Sequence, residues 1–312
     1  MAACSGAGRI FMSDWLISLE GTEAGKTLAL SLALLAALLH AVFGALQKGR
    51  FDPWLSRGAI DGWLFVLSLP IALFLVPWPQ GHEWLLILGT LPIHFAYKMG
   101  VALSYSRGAY TVVYPVVRGT GPLFAVLGAY AIFGETFTGM QWLGMAVLLA
   151  GIFGLAAYNL IHVRGVGRAT LVPALWLAVG TGALVALYTT YDAFGIRATP
   201  NPFTFLAWFF LVTAVDFPAI AFLRYRSMSN PPALGGLSGR GLIGALVAYG
   251  SFGSVMLATR LDKVGEAAVL RETSTVFAAV IGWVVLKEAV GPRRLALMAL
   301  IALGAVIVEL GA

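Results

Sequence analysis

Charge is scarce in this sequence: only 11% of its 312 residues are Asp, Glu, Lys or Arg, while 60% are hydrophobic. Soluble domains carry about 25% charged residues, so a water-facing globule is excluded. Cysteine is scarcer still. The single Cys4 excludes a disulfide framework and a cysteine-ligated metal site. The four histidines, His40, His82, His94 and His162, are scattered. Neither H-E-x-x-H nor G-x-S-x-G occurs, which removes the common metalloprotease and hydrolase readings. There is no Walker A loop, so no built-in ATP engine and no cofactor are expected. The segment Met1 to Gly25 holds Asp14, Glu20 and Glu23 and lacks a continuous apolar run, so no cleavable signal peptide is expected there. Met12 offers an alternative start.

What is present instead is length in apolar runs. A bilayer core requires helices of about 20 mostly apolar residues with all backbone hydrogen bonds made internally. Ten such segments can be read: Thr27–Gln47, Ile60–Trp78, Trp84–Ser106, Ala109–Phe133, Met140–Ile161, Leu171–Asp192, Asn201–Leu223, Gly241–Thr259, Val264–Leu286 and Leu295–Leu310. The connections are short, so function must lie within the helices. The net charge of +6 would suggest nucleic acid in a soluble chain. Here the cations sit in loops, where they anchor helix ends beside the lipid bilayer, and no nucleic-acid partner is expected. Trp54, Trp63, Trp78 and Trp84 stand at segment edges as an interfacial belt.

A shift of 153 residues aligns VVRGTGPLFAVLGAYAIFGE with VLRETSTVFAAVIGWVVLKE without a gap. Arg118/Arg271, Thr120/Thr273, Phe124/Phe277, Glu135/Glu288, Met145/Met298 and Gly151/Gly304 are identical pairs, with Arg107/Arg260 just upstream. Alanine matches are cheap in so apolar a chain; matched Arg and Glu are not. Each repeat unit holds an odd number of spans, so the second copy must enter the membrane in the opposite sense. The expected fold is all-α integral membrane, with ten transmembrane helices as two inverted five-helix repeats. The expected division is an N-terminal tail (1–26), a first repeat (27–161), a linker (162–170) and a second repeat (171–312). Such repeats are characteristic of secondary transporters.

The stretch ALSYSRGAYTVVYPVVRGTGPLFAVLGAYAIFGETFTGMQWLGMAVLLAGIFG and its shorter echo VFAAVIGWVVLKEAVGPRRLALMALIALGAVIV resemble the drug/metabolite transporter superfamily, and within it the EamA-type exporters. Pro122, Gly134, Glu135, Gly144, Ala150 and Gly151 fit the family pattern. The second half departs from it, with Thr275 where Pro122 stands and Lys287 where Gly134 stands. The resemblance implies export of amino acids, nucleotide-sugar-like compounds or other small metabolites. It also implies both termini in the cytoplasm. Lys and Arg counts point the other way: five on the terminal side (Arg9, Lys26, Arg197, Arg260, Lys263) against twelve on the opposite loops.

An ionisable side chain at the bilayer centre costs roughly 2.5–3.5 kcal/mol on insertion scales and is a functional candidate by default. His94 and Lys98 share a helical face with Tyr105. Tyr114 and Arg118 share another, in a span expected to be broken by Pro115, Gly119, Gly121 and Pro122. Arg271 takes the matched position, followed by Glu272, Thr273, Ser274 and Thr275, the most polar run inside any span. The candidate substrate-binding set is therefore Arg118, Arg271, Glu272, Lys98, His94, Tyr114, His40 and Thr275. Guanidinium matches carboxylate or phosphate in bidentate geometry, so one reading is a site for a small metabolite with an anionic group. Glu272 or Asp216 would then serve a coupling proton. The other reading has both arginines locking helices through Glu272 and Asp216. For His40 the structural alternative is a bond to a neighbouring carbonyl; for Asp216, a cap at a kink before Pro218; for Glu135 and Glu288, helix-terminal roles. Gly144, Gly151, Gly154 and Gly304 permit close packing. A membrane-embedded transferase on lipid-linked substrates is the rival function; it would cluster acidic or His residues at one membrane face, whereas the polar residues here lie mid-span. A channel is disfavoured by the absence of a filter-like repeat. The expected location is the plasma (inner) membrane.

Overall fold

The computed structural model describes residues 12–47, 51–107, 110–162, 168–284 and 291–311. Among them there is helix and no strand. A short helix over 12–18 is followed by α1 (Glu23–Gln47), α2 (Pro53–Pro70), α3 (Glu83–Arg107), α4 (Tyr110–Phe133), α5 (Gly139–His162) and α6 (Arg168–Ala198). Then come α7 (Pro202–Thr213), α8 (Asp216–Ser227), α9 (Leu234–Leu261), α10 (Val264–Arg271), α11 (Ser274–Val284) and α12 (Pro292–Leu310). Among the described residues, eight stretches are long and apolar enough to cross a bilayer, α2 with its extension and α7 with α8 each counting as one, and Leu295–Leu310 is a shorter apolar helix.

Local chemistry sets the boundaries. Asp52 caps α2, its Oδ1 accepting from the Trp54 and Leu55 amides at 2.9 and 3.3 Å, with Pro53 at the first helical position. Burial pushes the Asp52 carboxyl up, but the bonds from Arg224 and from the two amides outweigh it and hold the group below its ordinary value. Asn201 and Pro202 repeat the device at α7. Gly134, at φ 65°, ends α4 in the left-handed conformation that glycine adopts without strain. After Pro70, α2 continues as a π-helical turn, Ile71–Leu75, closed by the Val76 amide on the Ile71 carbonyl at 3.1 Å.

Three spans differ from expectation. The fourth is one continuous helix through both prolines, because each proline removes a single donor and the bonds on either side carry the helix through. The seventh is divided at Ala214–Val215, ahead of Asp216, and the ninth at Glu272–Thr273. Also, α2 and α9 each begin seven residues before the expected second and eighth spans.

The chain forms two compact units: Met1–Phe95 with Tyr191–Asp262, and Ala96–Thr190 with Lys263–Ala312. In the first, α9 packs on α1 and α2, and α2 packs on α8. The helix α7, apolar on every side, lies at its centre, with Phe205, Phe209 and Phe210 buried. In the second, α12 packs on α5, and α4 packs on α5 and α10. The α5–α12 contact is backbone on backbone: a Cβ on Gly304 would lie 2.4 Å from the Leu148 amide nitrogen, and one on Gly144 would lie 2.6 Å from that of Val308. The small residues read from the sequence are needed there.

Candidate functional site

The division between α10 and α11 falls in the polar run. Backbone bonds tighten from i+4 to i+3, the Glu272 amide reaching the Val269 carbonyl at 3.0 Å and the Thr273 amide that of Leu270 at 3.1 Å. Hydroxyls add second bonds to the same carbonyls that the amides of this run reach. Thr273 Oγ1 donates to the Leu270 carbonyl at 2.7 Å, and Thr275 Oγ1 to that of Glu272 at 2.8 Å. Arg271 through Thr275 are all buried, and Glu272 is fully so.

Around this break, in the second unit, the two matched arginines have different neighbours. From α4, Arg118 places Nε 2.8 Å from Glu272 Oε2 and donates through Nη2 to Ser274 Oγ at 2.9 Å. The same nitrogen lies 3.5 Å from the Arg271 carbonyl oxygen. Arg118 is thus neutralised and held. Arg271 is equally buried, but its guanidinium has only Thr189 Oγ1 at 3.5 Å and the face of Tyr188 at 5.8 Å among the described residues. Its Nε has no hydrogen-bond partner there. Both contacts come from α6, and the Tyr188 ring packs on Tyr97 of α3 at 4.8 Å. Among the described residues, Glu272 pairs directly with Arg118 and acts on Arg271 only through its charge, with no ion pair between them.

A second buried cluster lies in the first unit. His94 Nε2 on α3 is 2.8 Å from Asp192 Oδ2 on α6, and the edge of Phe209 from α7 packs on the imidazole at 4.9 Å. Of the other candidates, Lys98 is buried one turn after His94 on α3. His40 is half-buried in the first unit, 6.3 Å from the rings of Phe43 and Phe252. The Thr275 hydroxyl is bonded to backbone at the break. Tyr114 lies on α4, and its side chain is outside the described residues. Asp216 stands in the first turn of α8, its Oδ1 accepting from the adjacent Phe217 amide at 2.7 Å, while the N-cap position is Val215, so the expected capping role is not seen. Glu135 has the helix-terminal role: it accepts the Val264 and Gly265 amides at 2.7 and 3.0 Å, the start of α10. Glu288 lies outside the described residues.

Sequence reasoning did not identify Tyr188, Thr189 or the pairing of Asp192 with His94. It also passed over Asp61, fully buried in α2 with Arg57 at 2.9 Å, although a carboxylate inside an apolar span was signal enough.

Residues 172–310 match the EamA-like transporter family. The resemblance to EamA-type transporters is borne out by that match, which falls on the half that departs most from the motif pattern. This is a family of membrane transporters for small molecules, not of enzymes, and with the long apolar helices it indicates a multi-pass membrane protein. No curated protein matches the chain. A solved crystal structure of a protein 18% identical shares the fold, with a TM-score of 0.72 over 93% of this chain and 99% of that one.

Proposed function

We propose that this EamA-like chain is a secondary transporter, working as an exporter by alternating access, for small metabolites that carry a carboxylate or phosphate. Amino acids and related compounds are the first class to test. The observation that carries the reading is Arg271: a buried guanidinium with no carboxylate partner among the described residues, beside an Arg118 that has one. A buried guanidinium with no carboxylate in direct ion-pair contact is costly, and a substrate anion supplies that contact. Tyr188 and Thr189 orient the fork, and Glu272 holds Arg118 and lies ready for a substrate amine. The reading includes ten spans as two inverted five-helix repeats in the plasma (inner) membrane. It is supported by the 153-residue register and by the packing of matched helices, α4 on α10 and α5 on α12.

Counterflow in proteoliposomes tests it. Vesicles loaded with a panel of amino acids, organic acids and phosphorylated metabolites should take up at least one labelled member without ATP, and the amine-only analogue of that member should not compete. A strict ATP requirement, or competition by cations and neutral compounds alone, would refute the proposal.

A further inference from the structure

The helix α10 is eight residues long and ends on Arg271, and its other end is held by the connection between α4 and α5. Every residue of that contact lies in the second unit. Glu135 takes the Val264 and Gly265 amides, two of the donors that a helix start leaves without a partner. In the same turn Glu266 is buried, its Oε1 accepting from Gln141 Nε2 on α5 at 2.5 Å and lying 2.8 Å from Lys263 Nζ. Gln141 is fully buried and is fixed by the connection itself. Its Oε1 accepts the Thr138 amide at 3.0 Å, and its backbone amide donates to Thr138 Oγ1 at 3.2 Å. Phe137 closes the corner: its ring lies 5.8 Å from the Lys263 ammonium, and a Cβ on Gly265 would lie 2.5 Å from its Cζ. The start of α10 is thus clasped by side chains.

Between this clasp and the break, the packing is smooth. Ala268 of α10 is buried with Ala125 of α4 and Ala186 of α6. Alanine side chains interlock little, so a helix packed on them can slide by a small amount without forcing its neighbours apart. At the far end, the i+3 bonds of Glu272 and Thr273 join α10 to α11. Hinges are a few residues at the end of an element, and this break has that form. Discontinuous helices are the elements on which transporters mount their sites, and this one carries Arg271. We propose that α10 is the moving arm of the transport cycle: the clasp at Glu135 and Gln141 opens, α10 pivots at Glu272–Thr273, and Arg271 leaves Thr189 and Tyr188 with the anion it holds. This proposal rests on the anion-transport reading.

The test uses the full chain with Cys4→Ser, so that introduced thiols react alone. Gln141→Cys with Glu266→Cys, and separately Phe137→Cys with Gly265→Cys, set one thiol on each side of the clasp, and a short bifunctional thiosulfonate bridges them in proteoliposomes. A bridge that holds α10 in place should slow counterflow of labelled amino acids and inorganic phosphate at least about tenfold, and reducing the bridge should restore it. Thr138→Cys with Gly311→Cys ties the same connection to the end of α12, where Thr138 Oγ1 donates to the Gly311 carbonyl at 2.9 Å. That bridge should leave counterflow unchanged. Counterflow that survives both clasp bridges, or that the α12 bridge stops equally, overturns the proposal. Hydrogen exchange of the parent in lipid nanodiscs needs neither cysteines nor transport. An arm that opens exposes its amides, so Val264–Arg271 should exchange at least about tenfold faster than the packed turns of α12 around Gly304. Equal protection of the two overturns the arm even where the variants fail to fold. A parent without counterflow of any anion refutes the transport reading instead, while fast exchange of α10 still marks a hinged helix.

Discussion

The helix α4 and the pair α10–α11 are matched residue for residue in sequence, and they resolve the same problem in opposite ways. The first contains Pro115 and Pro122 and runs unbroken; the second has no proline between Val264 and Val284 and divides at Glu272–Thr273. Proline removes one donor from a helix that neighbouring turns sustain. A run of Thr, Ser and Thr does more, because its hydroxyls offer the carbonyls an alternative to helical amides. The matched arginines diverge accordingly. Arg118, on the continuous helix, faces a carboxylate, whereas Arg271, at the break, faces a hydroxyl and an aromatic ring. Sequence symmetry therefore placed two equal cations, and asymmetric surroundings gave one a carboxylate and the other a hydroxyl and a ring.

The largest effect should come from breaking the structural member of this pair. Arg118→Ala strands a fully buried Glu272 and should cost about 3–5 kcal/mol of stability. Adding Glu272→Gln should recover most of it. Thermal unfolding in detergent reads both, and a double variant no better than the single would show that the two side chains do not act as a pair. A smaller loss is expected at the break itself. Thr273→Val leaves the Leu270 carbonyl without its hydroxyl and should cost about 1 kcal/mol, while the matched Thr120→Val on the unbroken helix should cost less. Equal losses would mean that hydroxyls do not sustain the break. The smallest effect belongs to Pro122→Ala, which restores a backbone donor in a helix already continuous. Its melting temperature should correspond to within about 1 kcal/mol of the parent, and a larger change would assign the proline a role beyond geometry.

Much of this was legible in the sequence because hydropathy and matched charge survive without knowledge of packing. The long apolar runs marked the spans, and Arg118/Arg271 stood out as shared rare residues. Which arginine has the carboxylate did not follow, since Glu272 is adjacent in sequence to Arg271 but lies against Arg118 in the fold. The His94–Asp192 bond joins residues 98 apart, a distance that no local pattern reports. Tyr188 and Thr189 carry no charge to single them out within the sixth span. The prolines of α4 misled in the other direction, because local propensity marks where a helix is weakened and tertiary packing decides whether it parts.

The central claim is that Arg271 is the cation left for an anionic substrate, and its affinity for the best-transported anion of the counterflow panel tests that most directly. Arg271→Ala should keep the parent's melting temperature and lose about 1.5–3 kcal/mol of binding, roughly tenfold to a hundredfold in Kd. Arg271→Lys should recover part of it, because a point charge cannot form the two-pronged contact. A well-folded Arg271→Ala with unchanged affinity would contradict the account.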